Sequence, residues 1–223
     1  MKKIHVIGDS HCCFFYGSDE YRVCLLDWVD SLLPYFKIYP IGPSLAYNLT
    51  KLGTTNKGRE IILGILENEI PIGSRVMFCF GEIDCRYHIF NQAREQNREF
   101  EEIVDDCVQH YFDFIKEVKA KGYEVLVWAV IPSARDFGYY DPFYPRMGTC
   151  AERNELTRCF NGKLKNLLDS ESIKMISIFN QLVDDENVTR DQYYLADKVH
   201  LSQKMMPAAI KELRDNLDDF EEE

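Results

Sequence analysis

A chain of 223 residues that is 46% hydrophobic and 28% charged has the make-up of an ordinary globular protein, long enough to bury a core without disulfide or metal staples. Its net charge of −11 argues against nonspecific nucleic-acid binding, where affinity rests on Lys and Arg neutralising phosphates. No apolar run approaches the roughly 18 residues of a membrane-spanning helix.

In chain order, 3–8 reads as a buried strand and 20–34 as a helix stopping before a proline. A strand over 36–42 follows, ended by Pro and Gly, then a helix over 57–69. Residues 74–81 carry the long apolar run of a strand covered on both faces. Residues 99–122 place Ile103, Cys107, Tyr111, Phe114 and Val118 on one helical stripe, with Gly122 as the stop. Strands over 123–132 and 173–180 alternate with helices over 150–169 and 203–217. The acidic tail reads as a solvated end. This alternation predicts an α/β chain: a three-layer α/β/α sandwich around a mostly parallel five-stranded sheet, in one domain spanning 1–223.

Eight cysteines, at 12, 13, 24, 79, 85, 107, 150 and 159, form no CxxC and no regular framework, so reduced thiols and a cytoplasmic location are expected. The apolar stretch of MKKIHVIGDS is too short for a secretory leader, and the sequons at Asn48 and Asn187 are therefore read as chance. His5, His11, His88, His110 and His200 show no zinc spacing such as HExxH, so neither metal nor cofactor is expected.

Ligands of an open parallel sheet bind beyond the carboxyl ends of its strands. Three polar clusters fall there: Gly8-Asp9-Ser10-His11, Gly42-Pro43-Ser44, and Gly81-Glu82-Ile83-Asp84-Cys85-Arg86. A fourth, 196–202, precedes the last helix. A serine hydroxyl needs an imidazole to take its proton, and the imidazole needs a carboxylate to fix its tautomer. Asp197 and His200, three apart, suit that pair, and Ser10 the nucleophile; the bland reading makes Ser10 a helix N-cap and His200 a surface residue. Asp9 is expected to tie its turn through backbone N–H groups and His11 to pack beside it. Glu82 and Arg86, four apart, read either as a local ion pair or as substrate contacts. The adjacent Cys12 and Cys13 make a poor thiol nucleophile, with nothing basic nearby but His11.

GDSH near the start, a Gly after the second strand and DxxH before the final helix together resemble the GDSL, or SGNH, hydrolase family, over the full length of the chain. The resemblance implies a flavodoxin-like α/β/α sandwich and a serine esterase in which Ser10, Asp197 and His200 are catalytic. It also implies an oxyanion hole built from the N–H groups of Ser10 and Gly42. The family's third donor is the Asn of Gly-x-Asn-Asp, and here that position is Ile83; Arg86 is the local candidate to replace it. GEIDCR further resembles a variant branch associated with surface-polysaccharide biosynthesis. The expected substrate is a small acyl ester, such as O-acetyl on a sugar, with Asp9, His11, Glu82, Asp84, Tyr47 and Asn48 as further contacts. Transfer of the acyl group to a glycan and a noncatalytic glycan- or partner-binding module are the alternatives. A third reading pairs the carboxylates of Glu82 and Asp84 for sugar chemistry. The loop over 135–148 carries Phe137, Tyr139, Tyr140, Phe143 and Tyr144, whose faces suit stacking on a sugar or acyl group, or packing against the core or a second subunit of a homodimer.

Overall fold

A computed structural model describes residues 2–20, 28–135 and 141–220. Six strands form one sheet: β1 (Ile4–Gly8), β2 (Val29–Asp30), β3 (Phe36–Pro40), β4 (Arg75–Cys79), β5 (Glu124–Trp128) and β6 (Lys174–Ile176). Their order is β2-β3-β1-β4-β5-β6. The five expected strands are all present and run parallel to one another. The sixth, β2, runs antiparallel along the outer edge of β3, with Val29 opposite Ile38. Two residues are too few to show a period of two, and they lie in the stretch whose spacing reads as a helix; residues 21–27 of that stretch fall outside the described residues. The strand expected to reach 180 is cut short at Ile176 because Phe179–Leu182 turns into a short helix.

Side chains alternate across the sheet as a two-residue period requires. Val6, Ile38, Met77 and Leu126 face one layer, where Phe15 and the last long helix (Met206–Asn216) pack through Ala209 and Leu213. Ile7, Tyr39, Phe78 and Val127 face the other. That layer holds α1 (Gly58–Asn68), α2 (Ile89–Gln96), α3 (Phe100–Ala120) and α4 (Cys150–Ser170). With α5 (Phe179–Leu182), the final helix is α6. The stripe from Ile103 to Val118 on α3 is buried, as its spacing predicts. Helix α4 opens on a capping box between Thr149 and Glu152. Its fully buried Arg153 donates to Ser133 Oγ (2.8 Å) and to the carbonyls of Ala134 (2.7 Å) and Gly148 (2.6 Å), fastening the chain that follows β5.

Between β4 and α2 the sequence reads as a loop, but Asp84–His88 forms a π-helical turn that runs straight into α2. The wider turn breaks the helical apolar spacing, which is why periodicity misses it. Among the described residues no helix is long and apolar enough to cross a membrane.

Gly8 ends β1 packed against the backbone of β4 and the side chain of Cys12. A Cβ there would sit 2.5 Å from the Cys79 carbonyl oxygen and 2.9 Å from Cys12 Cβ, so only glycine fits. Gly8→Ala is expected to cost about 3 kcal/mol by overpacking, read as a lower urea midpoint at unchanged slope.

Candidate active site

Beyond β1 the chain turns at Asp9 into a 3-10 helix, Ser10–Tyr16. The Asp9 side chain accepts the His11 backbone N–H at 2.9 Å, which closes the turn and leaves Ser10 at its outer corner. Helix N-capping and presentation of Ser10 are thus divided between two residues, with Asp9 doing the capping. The second half of the site arrives just before α6. Asp197 Oδ1 accepts the backbone N–H groups of Val199 (2.8 Å) and His200 (3.0 Å). Lys198 takes a left-handed φ of 62°, and Leu195 N–H donates to the His200 carbonyl at 2.8 Å. This tight turn points the imidazole back at its own carboxylate.

The two ends meet. His200 Nδ1 lies 2.9 Å from Asp197 Oδ2, and His200 Nε2 lies 2.8 Å from Ser10 Oγ, across 190 residues of sequence. A carboxylate accepts only, so Nδ1 carries the proton and Nε2 accepts from the Ser10 hydroxyl. Burial alone would raise the Asp197 pKa; the hydrogen bonds from the His200 ring and backbone outweigh it and hold the carboxylate well below its usual range. Asp19 clamps the junction, accepting from Ser202 Oγ (3.1 Å) and Gln203 N–H (2.6 Å), while Gln203 Nε2 reaches the Phe14 carbonyl (2.6 Å). Beside the Ser10–His200 pair lies a cleft of about 150 Å³, walled by Phe14, Leu195 and Leu201 together with Cys13 and Gln203.

Comparison with solved structures finds the same chain path. A GDSL-like lipase from Bacteroides thetaiotaomicron superposes with a TM-score of 0.55 at 16% identity, covering 96% of this chain and 88% of that one. Phospholipase A1 from Streptomyces albidoflavus gives 0.56 at 11%, covering 96% and 99%. TesA gives 0.53 at 11%, covering 99% and 100%. This is the GDSL/SGNH hydrolase fold. No family model and no curated protein matches the sequence.

Within this SGNH fold, Gly42 follows β3 with a φ of 80°, a conformation that favours glycine, and is buried. Among the described residues neither its N–H nor that of Ser10 has an intramolecular acceptor. Ile83 stands buried where the SGNH pattern has Asn. Arg86 does not take the missing place: its Nε donates to Glu82 (3.1 Å) and its Nη1 to the Tyr144 carbonyl (2.9 Å), with Asp141 at 3.7 Å. It is buried and does not line the cleft.

Of the further contacts expected from sequence, His11 alone lines the cleft. Its ring packs 4.9 Å from that of His200 at 35°, and its Nε2 meets Glu82 Oε2 at 3.2 Å. Burial works against charge on His11, but Asp9 and Glu82 more than offset it and raise its pKa. Burial likewise opposes charge on Glu82, yet Arg86 and His11 bring it down to about 2. For Asp9, burial wins and pushes the carboxyl up. Glu82 thus lies between the His11 ring and the Arg86 guanidinium and is not among the residues that line the cleft. Asp84 is fully buried, its oxygens accepting the Ala46 (2.8 Å) and Tyr47 (3.2 Å) backbone N–H groups. Tied down in this way, Glu82 and Asp84 cannot work as a pair of sugar-cleaving carboxylates. Tyr47 stacks on His110 at 4.5 Å, and Asn48 lines a separate hollow with Ser44 and Tyr144, so neither faces Ser10. Phe143 is exposed; Phe137, Tyr139 and Tyr140 lie outside the described residues. Burial raises the Cys12 thiol pKa well above its usual value, which disqualifies it as a thiolate nucleophile.

Sequence reading misses Asp19, Phe14, Leu195 and Gln203. Nothing local marks them; only the closure of the two chain ends brings Phe14, Leu195 and Gln203 to the cleft and Asp19 to the Ser202–Gln203 junction.

Proposed function

We propose that this protein is a serine acyl hydrolase acting on a small acyl ester. The observation that carries the reading is the continuous row of hydrogen bonds from Asp197 through His200 to Ser10, at the mouth of a cleft. His200 Nε2 takes the Ser10 proton as Oγ attacks the ester carbonyl, and the imidazolium is held by Asp197. The N–H groups of Ser10 and Gly42 receive the negative charge that develops on the carbonyl oxygen. Collapse expels the alcohol, which takes the proton from His200. Water, deprotonated by the same nitrogen, then releases the acid and restores Ser10.

Two features narrow the substrate. The cleft of about 150 Å³ is of the size that encloses benzene, so it suits an acetyl-sized group and not a long acyl chain. With Ile83 in place of the Asn, the oxyanion has two backbone donors. The missing third is worth about 2.7–4 kcal/mol, so turnover is expected to be slow beside an esterase with a complete hole. The substrate we favour is an O-acetyl ester on a sugar, in keeping with the likeness of GEIDCR to proteins of surface-polysaccharide biosynthesis.

A fluorophosphonate probe tests the reading directly. Covalent labelling is expected at Ser10, located by peptide mass spectrometry, and is lost in His200→Ala. Absence of labelling on folded protein would turn the reading towards a noncatalytic binding module. In Asp197→Asn the amide no longer fixes the His200 tautomer, and kcat for p-nitrophenyl acetate is expected to fall about 10⁴-fold.

A further inference from the structure

On the far side of the segment that carries Gly42, three chemistry-bearing side chains converge that the Ser10 cleft does not use. Asp84 and His88 open and close the π-helical turn, and Cys107 projects from α3. Each offers one ligand atom, and these three atoms lie within 4.8 Å of one another. The geometry points to a binding site for a single divalent transition-metal ion of the zinc class, with Asp84, His88 and Cys107 as its ligands.

Chemistry and packing both suit this assignment. A carboxylate and a thiolate together neutralise a divalent cation, and an imidazole between hard and soft donors fits zinc or cobalt better than magnesium or calcium. Three protein ligands leave one tetrahedral position for water. Zinc bond lengths of about 2.0–2.3 Å place tetrahedral ligand atoms roughly 3.3–3.7 Å apart, so a trio within 4.8 Å needs to close by roughly 1.5 Å at most. The surroundings hold two of the ligands in place. Asp84 is oriented by the Ala46 and Tyr47 N–H groups, and the His88 ring packs 4.9 Å from that of Tyr47, which itself stacks on His110. Such outer partners are what orient metal ligands.

Two observations point to a ligand independently of proximity. His88 Nε2 is buried with no hydrogen-bond partner, a state that calls for an explanation in a folded protein. The turn joining Asp84 to His88 is π-helical, a costly local geometry that recurs at functional sites. The sequence hides the site because its spacing, four residues and then nineteen, matches no metal motif. On binding, Cys107 gives up its thiol proton to solvent and the thiolate takes the metal.

The test uses the full chain, stripped with a chelator and then titrated with Zn²⁺ or Co²⁺. One Zn²⁺ per chain is expected, with a thiolate-to-metal absorption band in the Co²⁺ form and a higher unfolding temperature. Cys107→Ser should lose the band. His88→Gln should weaken Zn²⁺ binding by more than the roughly 10–100-fold that outer partners cost. Ser10→Ala and Cys159→Ser should bind as wild type does. No uptake by the wild type would overturn the site, as would uptake that survives both Cys107→Ser and His88→Gln. If Cys107→Ser fails to fold, His88→Gln decides alone. None of these readouts depends on esterase activity.

Discussion

Ser10→Ala and His200→Ala are each expected to lower kcat for p-nitrophenyl acetate by about 10⁴–10⁶-fold. In the folded protein the Ser10 hydroxyl is already 2.8 Å from His200 Nε2, within proton-transfer reach before substrate arrives. Removing the hydroxyl removes the nucleophile. Removing the imidazole leaves a hydroxyl with nothing to take its proton. Because the two act as one unit, the double variant should be little slower than either single one. On the proposed mechanism, what survives is the contribution of the cleft and of the oxyanion donors. The measurement is steady-state hydrolysis alongside probe labelling. Unchanged activity in both variants would place the chemistry elsewhere. Additive losses would mean that serine and histidine serve separate steps.

That the two residues meet was legible in outline, because each belongs to a local pattern with its own mechanical sense. Gly-Asp-Ser ends an apolar strand, and Asp-x-x-His puts a carboxylate within reach of an imidazole across one turn. Five parallel strands were legible for the same reason: each is an apolar run long enough to show a period or a limit. What escaped is what depends on partners distant in sequence. Arg86 stands four residues after Glu82, and that spacing alone fits an ion pair as well as an oxyanion donor. The decision comes from His11, 71 residues away from Glu82, whose Nε2 meets the same carboxylate that Arg86 holds. Tyr144 then occupies Arg86 from the other side. Arg153 and Asn154 are a similar case: two polar residues on a helix, mute in sequence, whose burial comes from the post-β5 chain folded over them. Asn154 Oδ1 accepts Ser133 N–H at 2.8 Å. Asp84 belongs to the family's third block, yet its role of fastening Ala46 and Tyr47 could be read only once β3 and β4 were placed on either side of β1.

Glu82→Gln is expected to destabilise the protein by about 3–5 kcal/mol, the cost of leaving buried charges unpartnered. Glu82 is 5% exposed, and its carboxylate is in contact with both the His11 ring and the Arg86 guanidinium. The neutral amide keeps the shape but removes the carboxylate that the Arg86 guanidinium and the His11 ring share out of water. For a chain of this length the loss corresponds to a fall in Tm on the order of 10 °C. The pH dependence gives a second readout. Glu82 is lowered from 4.5 to about 2 on folding, so its contribution is complete above pH 4.5 and is lost as pH falls towards 2. That difference amounts to about 3 kcal/mol. His11 has the opposite sign: raised on folding, it stabilises below its unfolded value of 6.5 and the gain fades as pH rises through the folded value. Urea unfolding across pH should therefore show wild-type stability falling steeply between 4.5 and 2, and Glu82→Gln losing most of that slope. The same variant frees the His11 ring that packs against His200, so its esterase rate should drop while Ser10 still labels slowly. A variant as stable as wild type, with the acid limb intact, would mean that the carboxylate between His11 and Arg86 does not anchor the His11 ring.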